Sequence, residues 1–95
     1  MHILYRGEYM ERLISEYINK ISISDINIFA SKNNIHLNND ELNLIYSYIK
    51  NDWKTIIYGN YNSILNDLKS KISIDKYNKI EKLFYKFKSK YQNLL

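Results

Sequence analysis

The 95-residue chain has no cysteine, no proline, two glycines and two arginines. Without a thiol there is no disulfide framework, no thiolate metal site and no cysteine nucleophile, and a reducing compartment is expected. The longest apolar runs are a few residues, far below the about 20 needed to span a bilayer. Residues 1–8 lack the long apolar stretch of a signal peptide. A soluble, cytoplasmic protein without membrane association is the expectation. Glycine-rich phosphate loops, the H-E-x-x-H zinc motif and the Ca²⁺ loop pattern are also missing, so no cofactor and no metal are expected. Scarce glycine and absent proline leave few positions that demand a positive φ or a kink. Long helices are favoured, because a sheet-rich fold normally shows more turn chemistry.

What the chain has in abundance is 16 Ile, 13 Asn, 12 Lys and 10 Tyr, together 51 of 95 residues. These amino acids have A/T-rich codons, a bias expected of a low-GC bacterium, so aromatic and basic enrichment is partly mutational. A chain of this size buries about 60–65% of its unfolded surface, enough for one core. Isoleucine and tyrosine favour strands, which leaves periodicity to decide.

Periodicity reads as helix throughout. Met10, Leu13, Ile14, Tyr17, Ile18 and Ile21 recur at steps of three and four, the mark of an amphipathic helix. Residues 1–9 read as a tail, with Met10 a candidate start, and residues 10–95 as a single helical domain. Two near-repeats, Lys20-Ile21-Ser22-Ile23-Ser24-Asp25 and Lys71-Ile72-Ser73-Ile74-Asp75, mark helix boundaries. Ser22 or Ser24 caps a second helix with inner face Ile26, Phe29 and Ala30, and Asn33-Asn34 closes it, since Asn tolerates the left-handed conformation. Ile35 and Leu37 form an extended connector. Asn38 or Asn39 caps a third helix that runs to Gly59, whole or broken near Asn51-Asp52, with Gly59 as the residue just past its end. A fourth helix starts near Asn62 and a fifth at Ser73. The result is an all-α, compact single domain of four to five helices, arranged as two packed helical hairpins. Its expected core is Leu13, Ile14, Ile26, Phe29, Leu42, Ile45, Ile49, Trp53, Leu65, Leu68, Ile80, Phe84 and Phe87.

Residues 20–50, KISISDINIFASKNNIHLNNDELNLIYSYIK, with Ile64-Leu65, Lys71-Ile72 and Leu83-Phe84-Tyr85-Lys86-Phe87 in the second half, resemble a family of short uncharacterised helical proteins of low-GC Gram-positive bacteria. The resemblance covers about residues 10–92. It implies the same helical fold and transfers no functional residues. The chain departs from the family at residues 51–59, where Asn51-Asp52-Trp53-Lys54 replaces a glycine-containing basic turn. The helix–connector–helix plan of residues 22–50 is similar to the small SAP-type DNA-binding module. That segment, however, carries Lys32 and Lys50 against Asp25, Asp40 and Glu41, the wrong sign for gripping phosphate.

Catalysis finds little footing. His2 falls in the tail and His36 stands alone in the connector, and Asp40-Glu41 suits a helix N-terminus better than a carboxylate dyad. No catalytic residues are assigned, and a non-enzymatic protein is expected. Two binding surfaces are candidates. Trp53, Tyr58 and Tyr61 cluster around Gly59, and such aromatics anchor protein interfaces; for Trp53 a place in the core is the competing reading. Charge is also asymmetric. Residues 1–48 hold 4 basic and 6 acidic side chains, a net of −2, whereas residues 49–95 hold 10 and 4, a net of +6. Lys79, Lys82, Lys86 and Lys90 fall on one stripe of the last helix, where they either bind nucleic-acid phosphates or form an ordinary solvated face. The leading expectation is a protein–protein interaction module, with nucleic-acid binding by the basic C-terminal helix as the alternative. A small regulator or inhibitor encoded by a mobile element comes third.

Overall fold

A computed structural model describes the backbone of residues 6–93 and the side chains of residues 9–93. Five helices follow one another: α1 (Arg6–Lys20), α2 (Ile23–Lys32), α3 (Asn39–Tyr58), α4 (Asn62–Lys69) and α5 (Ile74–Gln92), with no strand among the described residues. The helical backbone of α1 begins at Arg6, so residues 6–9, expected as tail, are helical. His2 lies outside the described residues.

Local chemistry places the breaks. At α2, Ser22 Oγ accepts from the Asp25 N–H at 3.1 Å while the Asp25 carboxylate accepts from the Ser22 N–H at 2.9 Å. This capping box satisfies two otherwise orphaned donors. Asn38 and Glu41 make the same reciprocal pair at α3, both bonds 2.9 Å. The second near-repeat is one residue shorter between Ser and Asp. Ser73 Oγ still accepts from the backbone of Lys76, at 3.4 Å, but Asp75 falls a position short of closing a box and pairs instead with Lys79 at 3.7 Å.

Asn34 is the single positive-φ residue described outside glycine, at 60°. It lets the Asn34 N–H reach the Ser31 carbonyl and the Ile35 N–H reach that of Ala30, at 3.1 and 2.9 Å. This is the Schellman arrangement, and its apolar contact is supplied by buried Ile35 and Ala30. Gly59 departs from expectation. It closes α3 in an extended conformation, φ −110° and ψ −164°. A Cβ there would lie 3.2 Å from the Thr55 carbonyl oxygen, so close backbone approach is what favours glycine.

α3 is the organising element, packing against α1, α2 and α5, while α4 packs on α5. The sequence-adjacent pairs α2–α3 and α4–α5 are joined through α3 on α5, with α1 added along α3. The backbone of Asp52 (φ −121°, ψ 16°) kinks α3, and the helix serves two clusters. Leu42, Ile45 and Tyr48 before the kink and Ile56 after it join the main core with α2, α4 and α5. Trp53 and Ile57 after it join a second cluster with Ile14, Ile18 and Tyr91. Ile21, Ile49 and Phe87 bridge the two. The result is elongated, 51 × 25 × 19 Å.

Two expected core residues are surface residues: Leu13 is 40% and Phe29 50% exposed. α1 buries the i, i+4 pair Ile14 and Ile18, and α2 buries Ile26 and Ala30. Leu13 and Phe29 each stand one position, about 100° of helical rotation, from those stripes. Ile18, Ile35, Ile56 and Ile57, absent from the expected core, are among its most buried side chains.

Ion pairing crosses the helices at Glu41, whose Oε1 accepts from Lys76 Nζ at 2.7 Å, tying α3 to α5. Burial would raise the Glu41 pKa, but the bonds from Lys76 and the Asn38 N–H outweigh it and hold the carboxyl below its ordinary 4.5. Asp25, bonded by Ser22, and Asp67, bonded by Tyr48 and Lys71, are likewise held below 3.8. A depressed carboxyl stabilises the fold fully above its unfolded pKa and loses that contribution as pH falls through its folded value. The urea midpoint is therefore expected to decline on acidification below pH 4.5. Glu41→Gln should make that decline shallower, as a pH series of urea titrations will show.

Candidate partner-binding groove

One concave surface stands out, an apolar groove of about 420 Å³. α3 contributes buried Ile45 and Ile56 to its lining, and the connector contributes Ile35 and Leu37. Half-exposed Phe29 of α2 lines one side; partly buried Leu83 and Phe87 of α5 line the other. Tyr17 of α1, Ile21 just past its end and Tyr91 of α5 also line it. The Tyr17 and Tyr91 rings lie 5.9 Å apart. Burial, and then the neighbouring Tyr17 hydroxyl, push the Tyr91 phenol well above its usual pKa, so it stays neutral.

The charged residues lining the groove are Asp25, Lys86 and Lys90. Asp25 is committed to the Ser22 N–H. Lys90 Nζ sits 5.5 Å from the Tyr91 ring centroid, a cation–π distance. Neither Lys86 nor Lys90 has a carboxylate partner among the described residues. The α5 side is thus cationic, and the rest of the lining is chiefly apolar.

The aromatic residues expected to form one patch go to three environments. Trp53 is buried at 8% exposure and plugs the second cluster, on the same i, i+4 stripe as Ile49 and Ile57. Its expected place in the core holds, and its place among the candidate interface residues is corrected. Tyr58 is exposed, its pKa raised by partial burial and then by the nearby Glu11 carboxylate. Tyr61 is half-buried, its ring 6.4 Å from that of Phe84. The lysine stripe divides as well. Lys79 pairs with Asp75, Lys90 lines the groove, Lys82 lines a second cleft toward α4, and Lys86 lines both. His36 and Asp40 are exposed.

The groove residue that sequence reasoning misplaced is Phe29. Its signal was an excess: Ile23, Ile26, Ile28, Phe29 and Ala30 on a ten-residue helix are more apolar side chains than one buried stripe accommodates. Ile23, Ile28 and Phe29 are the surplus, 38–51% exposed.

Among the described residues no group of three or more His, Asp or Glu is placed to hold a metal ion. No described helix is long and apolar enough to cross a membrane. No protein-family model, curated protein or solved structure matches the chain. The functional reading therefore rests on the geometry.

Proposed function

We propose that this protein is a non-enzymatic interaction module whose groove receives an amphipathic helix of a partner protein. The observation that carries the reading is the apolar groove bounded by Phe29, Leu83 and Phe87. Contiguous exposed apolar surface costs solubility and commonly marks a docking site, and aromatic side chains are frequent anchors. The form of the ligand follows from backbone chemistry. Apart from the short connector at Ile35 and Leu37, the groove is walled by helices, whose backbone groups are already paired, so it offers no long ladder to an extended strand. A segment entering it must satisfy its own N–H and C=O groups, which a helix does. Lys86 and Lys90 favour a helix with acidic residues on the edge facing α5, because charge complementarity sets orientation.

The test captures partners from host extract with wild-type protein, identifies the retained protein and maps the bound segment by cross-linking. The expected result is an amphipathic helix with acidic flanks, cross-linked to α2 and α5. Phe29→Glu should lower its affinity at least tenfold, as loss of an interface anchor does, while circular dichroism stays unchanged because Phe29 is half-exposed. A partner held equally well by Phe29→Glu, or cross-linked around Tyr58, overturns the reading.

A further inference from the structure

On the other side of α5 lies a cleft of different character. α4 and α5 enclose about 590 Å³ between them, lined by Tyr61, Asn62, Asn66, Lys82, Tyr85 and Lys86 among others. From this geometry we infer a second site, one that binds single-stranded nucleic acid.

Three observations converge. Tyr85 is 65% exposed, the highest value among the large apolar side chains described, and its ring is free to take a stacked base. Stacking on aromatic faces is how sequence-tolerant single-strand binders hold bases, since every base has a π-face. Tyr61, across the cleft, is braced by Phe84 and by Lys88, whose Nζ lies 5.2 Å from its ring centroid.

The second observation is the distribution of charge along α5. Lys76 and Lys79 are paired with Glu41 and Asp75, whereas Lys82 and Lys86 have no carboxylate partner among the described residues. Of the α5 lysines without a carboxylate partner, these two line the cleft beside the exposed tyrosine. A carboxylate, Glu81, also lines this cleft, near enough to the Tyr77 hydroxyl to lift the Tyr77 pKa.

The third is the chemistry of the remaining lining. Asn62 and Asn66 present amides that donate and accept, suited to base edges. Lysine without arginine supplies phosphate contacts but not the bidentate pairing that reads guanine. Unpaired bases with tolerant sequence requirements fit this set better than duplex DNA, whose base faces are already stacked.

The experiment measures fluorescence anisotropy of labelled oligothymidylate and oligouridylate, with a duplex of equal length as comparison, at low and at physiological salt, using the full chain. Single strands should bind, more weakly as salt rises, with the duplex at least tenfold weaker. Lys82→Ala with Lys86→Ala should cost about tenfold or more, whereas Lys20→Ala with Lys32→Ala, which removes equal charge from α1 and α2, should change little. Tyr85→Ala should cost about tenfold, with Tyr85→Phe close to wild type because stacking survives. The inference is overturned by no binding at low salt, by equal affinity for duplex, by equal losses from the two lysine pairs, or by a Tyr85→Ala affinity matching wild type.

Discussion

Leu68→Ala should lower the unfolding free energy by about 3 kcal/mol. α4 is eight residues long, far shorter than the about 12–15 at which an isolated helix is even marginal in water. Its N-terminal cap residue, Tyr61, makes no side-chain capping bond. The helix is therefore held chiefly by its buried side chains Ile64, Leu65 and Leu68, and Leu68 has no exposed surface at all. Truncation removes the transfer free energy of the lost carbons and leaves a cavity among neighbours that relax only in part. Against a total stability of about 5–15 kcal/mol for a domain, the loss is large, and the melting temperature should drop by about 15 °C. Leu13→Ala, at a residue 40% exposed, should stay within about 1 kcal/mol of wild type. Urea and thermal unfolding followed by circular dichroism will compare the two. A Leu68 loss no larger than the Leu13 loss would mean that α4 is not part of the cooperative unit.

Trp53→Ala should cost about 3–5 kcal/mol, and its effect should be concentrated in α1. That helix packs along the second half of α3 through a cluster in which Ile14 and Ile18 meet Trp53, Ile57 and Tyr91. Removing the indole takes away the largest member of this cluster, whereas the main core around Leu42, Ile45, Leu68 and Phe84 keeps its own side chains. Lys50 still donates to the Ile18 and Asn19 carbonyls at 2.6 and 2.9 Å, a polar tether that cannot replace the apolar contact. Native-state hydrogen exchange should accelerate first in the amides of α1, with those of α3 before Asp52 and of α4 following only at the global limit. Trp53→Phe should recover part of the loss. Uniform acceleration across all five helices would show that the two clusters unfold as one.

Much of the architecture was legible in short stretches of chain because capping is local chemistry. Ser22 with Asp25 and Asn38 with Glu41 act across three residues, and Asn34 takes φ 60° within its own turn, so identity and spacing carry the information. The site was less legible. The difference between Ile26 in the core and Phe29 on the groove is one step of helical rotation, and it depends on which neighbour α2 meets. Leu13 shows the same limit, one step of rotation from buried Ile14.

By itself, then, the sequence determined the helical class, the positions of the helix breaks and the concentration of positive charge in the second half, all properties carried by nearest neighbours or by composition. Tertiary packing decided the rest. It placed α3 at the centre, divided the core into two clusters, left Phe29 on an open groove, and paired Lys76 and Lys79 while leaving Lys82 and Lys86 beside Tyr85. These outcomes depend on contacts between residues far apart in the chain, such as Glu41 with Lys76 or Ile14 with Trp53. No local pattern encodes them, because a helix with surplus apolar or cationic residues does not specify which of them its neighbours will cover.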